Sequence, residues 1–242
     1  MSCWSVTDSI GHGIEFVILH TALMNIPNDR RSVKCFGMEV RMITTLIFDI
    51  GNVLAGFTWK EHFEGFGYDE EMVERLAKAT VKNQIWNEFD RGVMTKEAIV
   101  QALAESDPEI EQEIRRVLKN VGTMIKRHEY AIPWIHDLKQ KGYRVLYLSN
   151  FSEAAETDCA HALDFIPHMD GGILSYQDKV IKPMPEIYQL LIDRYELVPE
   201  ECVFMDDTVA NLVGAEKFGI HTIHFQNQEQ AIAELKELGV DA

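Results

Sequence analysis

Apolar residues along the chain are gathered into short continuous runs rather than alternating with polar residues. Five of these runs are predicted to be strands: Thr45–Asp49, Arg144–Asn150, Gly172–Ser175, Cys202–Asp206 and Thr222–Phe225. Continuous apolar runs are expected when both faces of a parallel sheet are covered. The predicted sheet is therefore buried between layers of helices.

Stretches with helical spacing separate the later runs. They cover Pro133–Lys141, Pro185–Tyr195, Val209–Phe218 and Glu229–Leu238. Proline near the start and glycine just past the end mark several of their bounds. Because strand and helix alternate, the sequence predicts an α/β fold with a Rossmann-like parallel sheet core and right-handed crossovers.

The segment from residue 58 to residue 130 interrupts this alternation. It contains no run typical of a strand, and its helix signals are strong. Thr95 can cap a helix over Lys96–Ser106, and Asp107 can cap one over Glu109–Asn120. So many helical residues between two strands predict an inserted helical cap domain over the edge of the sheet.

The first 41 residues match neither part of this organisation. Their apolar patch, Ile14–Leu19, lacks the basic start and the clean apolar stretch of a secretory signal. We interpret residues 1–41 as a poorly ordered N-terminal extension, with Met42 opening the folded part. The core domain then comprises residues 42–57 and 131–242.

Composition and charge narrow the class of function. The net charge of −16 argues against a nucleic-acid partner, because phosphate backbones require basic patches. The four cysteines lie far apart without a CxxC pair, as expected of reduced thiols in a cytoplasmic protein. No apolar run reaches the roughly 20 residues of a membrane span. The default expectation is a monomer.

Three of the predicted strands end in polar side chains. Asp49 ends the first, Ser149 and Asn150 end the second, and Asp206 and Asp207 end the fourth. In an open parallel sheet, ligands bind outside the carboxyl ends of the strands. These five side chains are therefore predicted to meet in one crevice.

This set of side chains suits phosphoryl transfer. Converging carboxylates repel one another unless a cation lies between them, and oxygen ligands are those that Mg²⁺ prefers. Lys182, between the second and third of these strand ends, adds a cation that with a hydroxyl can neutralise phosphoryl oxygens. An aspartate in line with phosphorus can then act as the nucleophile.

The same residues, taken in order, resemble the four motifs of the haloacid dehalogenase superfamily. The motifs read D-x-G-N-V-L from Asp49, L-S-N around Ser149, K-P-x-P-E-I-Y from Lys182 and D-D-x-x-x-N from Asp206. The inserted cap is similar to that of the phosphatase branch, and the first motif resembles bacterial sugar-phosphate phosphatases of the glucose-1-phosphate type. The resemblance spans residues 43 to about 226.

The resemblance implies a metal site and a nucleophile. Asp49 would attack phosphorus and also bind Mg²⁺, together with the backbone carbonyl of Gly51 and the carboxylates of Asp206 and Asp207. Asn211, on the following helix, is a candidate to orient the acid pair, with helix capping as the alternative role.

The resemblance also implies how the substrate is held. Ser149, with Asn150 beside it, would bind the phosphate. Lys182 would bridge the phosphate and the nucleophile, which makes it catalytic together with Ser149. Asp90-Arg91-Gly92 is predicted to be a turn in the cap, and similar caps point such a loop at the substrate. Arg91 is therefore a candidate contact to a sugar hydroxyl or phosphate.

One position departs from the family pattern. Members usually carry an aspartate two residues after the nucleophile, which protonates the leaving group and later activates water, but this chain has Gly51. Such general acid–base help is worth about 10²–10⁴-fold. Gly51 alone therefore predicts activity biased toward substrates whose leaving group departs easily. Glucose 1-phosphate, whose sugar leaves through its anomeric oxygen, is expected to react faster than glucose 6-phosphate.

Two alternatives stay open beside the phosphatase. A 2-haloacid dehalogenase-like hydrolase would also lack the second aspartate, but it uses no metal and is not expected to carry the acid pair Asp206-Asp207. A non-catalytic relative would bind a metabolite without needing the nucleophile Asp49. The favoured prediction is a Mg²⁺-dependent phosphatase that hydrolyses a small phosphorylated metabolite, a sugar phosphate, through an aspartyl phosphate.

Overall fold

The computed structural model describes residues 32–35 and 38–242. Its strands are, in chain order, β1 (Ser32–Cys35), β2 (Met38–Arg41), β3 (Thr45–Phe48), β4 (Ala55–Phe57), β5 (Ile125–Arg127), β6 (Arg144–Ser149), β7 (Gly172–Leu174), β8 (Cys202–Asp206) and β9 (His221–His224).

Eleven α-helices are described in the same part of the chain. They are α1 (Trp59–Glu64), α2 (Glu70–Ala79), α3 (Ile85–Arg91), α4 (Lys96–Ser106), α5 (Glu111–Leu118), α6 (Ala131–Gln140), α7 (Glu153–Asp158), α8 (Ser175–Asp178), α9 (Pro185–Tyr195), α10 (Val209–Glu216) and α11 (Gln228–Glu237). None of these helices is both long enough and apolar enough to span a bilayer.

The strands β1 and β2 pair antiparallel and belong to a unit that ends at Met42. A second unit runs from Ile43 to Ala242. The predicted poor order of residues 1–41 falls mostly on residues outside the described ones and stays a prediction.

Five strands form one parallel sheet, in the order β7-β6-β3-β8-β9. The central strand β3 is fully buried on both faces, which explains its continuous apolar sequence. Each of the five predicted strands is present within one residue of its predicted bounds. The predicted α/β fold with a parallel sheet is confirmed.

Alternate residues of β3 pack against opposite layers of helices. Leu46 and Phe48 belong to a core with α6 and α11, whereas Ile47 belongs to a second core with α9 and α10. This division follows from the two-residue period of a strand. The sheet is thus held rigidly from both sides, which fixes the positions of its strand ends.

The register of the sheet places three strand ends side by side. Phe48 of β3 pairs with Met205 of β8 on one side and with Tyr147 of β6 on the other. The amide of Asp49 then donates a hydrogen bond to the carbonyl of Met205 at 2.9 Å. Asp49 therefore lies level with Asp206 at the carboxyl edge.

The helices α1–α5 lie where the sequence predicts the cap. As predicted, Thr95 caps α4: its hydroxyl accepts a hydrogen bond from the amide of Ala98 at 3.2 Å. The predicted cap at Asp107 is wrong. Its carboxylate instead accepts two hydrogen bonds from the guanidinium of Arg75, both at 2.7 Å. The chain forms a 3₁₀ turn over Pro108–Ile110 before α5 begins.

A short antiparallel ribbon joins the helical segment to the core, and the sequence gives no sign of it. The strands β4 and β5 pair with Phe57 opposite Ile125, and the amide of Thr58 donates to the carbonyl of Met124 at 2.7 Å. The expectation of no strand between residues 58 and 130 is therefore wrong for β5. The ribbon fixes where the cap meets the sheet.

Candidate active site

A cavity of about 300 Å³ lies between the carboxyl edge of the sheet and the cap. It is lined by six of the residues that the sequence predicts for the site: Asp49, Gly51, Ser149, Asn150, Lys182 and Asp207. Asp206 lies beneath them and is fully buried. The structure thus brings the predicted core residues together from β3, β6, β8 and the loop before α9.

Lys182 bridges two buried carboxylates. Its Nζ lies 2.9 Å from Oδ1 of Asp49 and 2.6 Å from Oδ2 of Asp206, and the residue is only 3% exposed. Burial makes a lone charge costly, so each member of this triad depends on the others. The triad connects Asp49 to the acid pair.

Asn150 holds the main chain of Lys182 in place. Its Oδ1 accepts a hydrogen bond from the amide of Lys182 at 2.7 Å, and its Nδ2 donates to the carbonyl of the same residue at 3.0 Å. Both groups of the amide side chain are thus engaged. The structure shows a positioning contact, and the contact of Asn150 with phosphate stays a prediction.

Asp206 is oriented by the start of α10. Asn211 donates from Nδ2 to both carboxylate oxygens of Asp206, at 3.1 and 3.0 Å. The amide of Thr208 donates to Oδ1 of Asp206 at 2.7 Å. The predicted role of Asn211 in orienting the acid pair is confirmed for Asp206, and these hydrogen bonds do not involve Asp207.

Asn52 is a site residue that the sequence reasoning missed. Its Nδ2 donates to Oδ2 of Asp207 at 2.8 Å, and its Oδ1 accepts from the amide of Phe57 at 3.1 Å. Its backbone is left-handed, with φ of 56°, a conformation in which asparagine is enriched. An asparagine just after the strand-end acid was the available signal.

The three carboxylates form a group that suits a divalent cation. Asp49, Asp206 and Asp207 each offer one oxygen, and these oxygens lie within 4.8 Å of one another. Lys182 offsets only one of the three negative charges. Because hard oxygen donors with residual negative charge are what Mg²⁺ binds, these residues fit that ion. The backbone carbonyl of Gly51 as a further ligand stays a prediction.

The pKa values of the triad keep both Asp49 and Lys182 charged at neutral pH. Burial raises the pKa of Asp49 to about 6, and the charge of Asp206 adds to the rise while Lys182 opposes it. Burial alone lowers the pKa of Lys182, but the charges and hydrogen bonds of Asp49 and Asp206 outweigh this effect, and the pKa is raised. At neutral pH Asp49 is therefore ionised beside a charged lysine.

The structure does not bring Arg91 into the cavity. Trp86 and Asp90 lie four residues apart on α3 and both line the cavity, as expected for one face of a helix. Arg91 lies one residue further round the helix. Its Nη2 is 3.6 Å from Sδ of Met184 and 3.6 Å from Oε1 of Glu88.

A family model described as haloacid dehalogenase-like hydrolase matches residues 43–219. The match covers most of the chain and all the motifs of the site. The chain therefore belongs to the haloacid dehalogenase-like hydrolase family.

Relatives of this chain include hydrolases of two kinds. The chain is 28% identical over 135 residues to (S)-2-haloacid dehalogenase 4A of Burkholderia cepacia, covering 56% of this chain and 58% of the relative. It is 24% identical over 140 residues to a phosphorylated carbohydrates phosphatase of Thermotoga maritima, covering 56% and 63%. Other curated relatives are much longer, and the chain spans only 15% and 19% of two of them.

A solved structure of a Bacteroides thetaiotaomicron enzyme of the same family, bt-2542, has a similar fold. The TM-score is 0.59 at 22% identity, over 76% of this chain and 94% of that one. That enzyme was crystallised in complex with magnesium and inorganic phosphate. At this identity the likeness establishes the fold.

Proposed function

We propose that the protein is a Mg²⁺-dependent phosphatase that hydrolyses a small phosphorylated metabolite, a sugar phosphate, through an aspartyl phosphate. The main support is the carboxylate group of Asp49, Asp206 and Asp207, whose oxygens lie within 4.8 Å of one another. A dehalogenase of this family acts without a metal and does not need Asp207 beside Asp206. The phosphatase relative and the magnesium and phosphate complex of bt-2542 support the same choice.

Each residue of the site has a place in this mechanism. Asp49 attacks phosphorus, and the P–O bond to the leaving group breaks as the new P–O bond to the carboxylate forms. Lys182 and Ser149 bind phosphoryl oxygens, where negative charge is concentrated. When bound by Asp49, Asp206 and Asp207, Mg²⁺ supplies positive charge that offsets the repulsion between phosphate and carboxylates. Water then releases inorganic phosphate from Asp49.

The metal requirement is the direct test of this function. Phosphate release from a panel of sugar monophosphates is expected with Mg²⁺, to fall at least about 100-fold in EDTA, and to return when Mg²⁺ is added. The measurement is release of inorganic phosphate. Halide release from a 2-haloacid that is unaffected by EDTA, without phosphate release, would instead identify a dehalogenase.

The cap side of the cavity indicates the kind of leaving group. The described residues that line the cavity on this side are Phe57, Val81, Trp86, Asn87, Asp90 and Ile125. None of these side chains is cationic. The leaving group is therefore proposed to be neutral, with a sugar face against Trp86. A second anionic group would lie near Asp90 without a cation, and like charges in contact are costly.

A comparison of two sugar phosphates tests this assignment. We expect kcat/KM for glucose 1-phosphate to exceed that for glucose 1,6-bisphosphate by about 10–100-fold. Steady-state phosphate release measures both, and a Val81→Lys variant is expected to narrow the ratio by adding a cation to the cap wall. A wild type that prefers the bisphosphate would contradict a neutral leaving group. The monomeric state and the cytoplasmic location remain predictions from the sequence.

A further inference from the structure

Asp90 is the one ionisable side chain on the cap side of the cavity, among the described residues that line it. It lies in the last turn of α3, on the same helix face as Trp86. Asp49 and Lys182, which belong to the strand-end side, line the same cavity, and their charges act on the carboxyl group of Asp90. A leaving group on a phosphate held by Lys182 would therefore share this cavity with Asp90.

The position of Asp90 is fixed by the core of the protein as well as by the cap. Ser175, which opens α8, donates from Oγ to the carbonyl of Asp90 at 2.5 Å and accepts from the amide of Phe151 at 2.8 Å. The next residues are held too. A Cβ at Gly92 would lie 2.8 Å from Cβ of Tyr176, so glycine permits this close approach. These contacts hold the end of α3 over the edge of the sheet.

The carboxyl group of Asp90 is available for proton transfer. Within the part of the chain that the structure describes, it has no hydrogen-bonding or ion-pairing partner. Burial raises the pKa of Asp90 to about 7, and the negative charge of Asp49 adds to the rise while Lys182 opposes it. A carboxyl with a pKa near the working pH can both donate and accept a proton.

We propose that Asp90 is the general acid and base that position 51 lacks, an inference that rests on the proposed phosphatase function. In the first step Asp49 attacks phosphorus, the bond to the leaving oxygen breaks, and that oxygen takes the proton of the Asp90 carboxyl. In the second step the Asp90 carboxylate takes a proton from water while the water oxygen attacks phosphorus. The bond to Asp49 breaks, which gives inorganic phosphate and restores both aspartates.

This role changes the expectation drawn from Gly51 alone. With a proton donor in the cap, the wild type is expected to hydrolyse esters with poor leaving groups as well as those whose leaving group departs easily. The bias toward easily departing leaving groups is expected to appear when Asp90 is replaced by a residue that cannot donate a proton.

The Asp90→Asn variant tests the proposal, because it keeps the shape of the side chain and removes its acid. The probes are benzyl phosphate, whose alkoxide leaving group needs a proton, and 4-nitrophenyl phosphate, whose leaving group does not. Rapid quenching of the first turnover measures departure of each leaving group. We expect Asp90→Asn to slow benzyl alcohol release about 10²–10⁴-fold and to change nitrophenolate release by less than about 5-fold.

Asn87→Ala is the matched control, since Asn87 lines the same side of the cavity one helical turn earlier. It is expected to change both rates by a similar factor. Equal losses on the two esters in Asp90→Asn, or an unchanged rate on benzyl phosphate, would overturn the assignment of Asp90 alone. A wild type that with Mg²⁺ releases phosphate neither from these esters nor from the panel of sugar monophosphates would overturn the proposed function, and this role with it.

The pH dependence of the stability of Asp90→Asn shows whether the variant is folded. A raised pKa means that the folded protein binds this proton more tightly than the unfolded chain, so the contribution of Asp90 to wild-type stability falls as pH rises from about 4 to about 7. The variant is expected to lose less stability over the same range in metal-free thermal unfolding. It should therefore be no less stable than the wild type at pH 7, and a less stable variant would be replaced by Asp90→Ala for the kinetic test.

Discussion

Turnover is expected to fall by at least about 10⁴-fold when Asp49 is replaced by asparagine, while the fold stays intact. The carboxylate of Asp49 is the group that we propose attacks phosphorus, and an amide cannot replace it as nucleophile. Burial raises the pKa of Asp49 to about 6, so its charged form costs stability above that pH. Lys182 has a second partner in Asp206, at 2.6 Å, which the variant retains in its sequence and which is expected to hold the lysine in place. Phosphate release under saturating substrate and Mg²⁺ measures the loss.

Two further measurements make this result specific to the nucleophile. Brief reaction with a labelled phosphate ester should leave a hydroxylamine-sensitive label on the wild type and none on Asp49→Asn. Asp137→Asn is the control, because Asp137 lies on α6 and forms a surface ion pair with Lys141, the residue just past the end of that helix, and neither residue lines the cavity. It should keep wild-type turnover. A labelled or active Asp49→Asn protein would remove Asp49 from the role of nucleophile.

The sheet could be predicted from the sequence because burial in the folded protein requires the same apolar residues that favour a strand locally. Strands buried on both faces must be apolar throughout, so Leu46, Ile47 and Phe48 mark β3 without knowledge of its neighbours. The ribbon of β4 and β5 was not predictable in this way. Each strand has three residues, and Ile125–Arg127 has no strand pattern of its own. Its pairing depends on chain segments about 70 residues apart, which only the folded structure brings together.

The candidate site also has a part that could be predicted from the sequence and a part that could not. Its core residues could be predicted because the carboxyl ends of parallel strands share one edge, which brings Asp49, Ser149 and Asp206 together. The cap side could not, because it depends on how α3 is rotated about its axis. A rotation by one residue exchanges Asp90 for Arg91, and the resemblance to similar caps favoured Arg91 as the residue in contact with the substrate. The side chain that faces the cavity is the acid.

Lys182→Met is expected to affect both stability and catalysis. Without the ammonium group, the carboxylates of Asp49 and Asp206 are left buried with no cation, and breaking a buried ion pair in this way costs about 3–5 kcal/mol. The rate should also fall by about 10²–10³-fold, because a positive charge on the phosphoryl oxygens is lost. Denaturant unfolding of the metal-free protein and steady-state phosphate release measure the two effects.

The cause of that instability can be identified from its dependence on pH and Mg²⁺. Removing the charge of Lys182 takes away the cation that opposes the rise in the pKa of Asp49, so that pKa rises further and the folded variant binds this proton more tightly than the unfolded chain. Its stability should therefore recover as pH falls toward about 5, and in part when Mg²⁺ is added at pH 8. Lys141→Met removes only surface ion pairs, with Asp137 and with Asp241, and should cost less than about 1 kcal/mol. A Lys182→Met protein as stable as this control, at every pH, would mean that the two buried carboxylates do not depend on the lysine and that the charge arrangement proposed for the site is wrong.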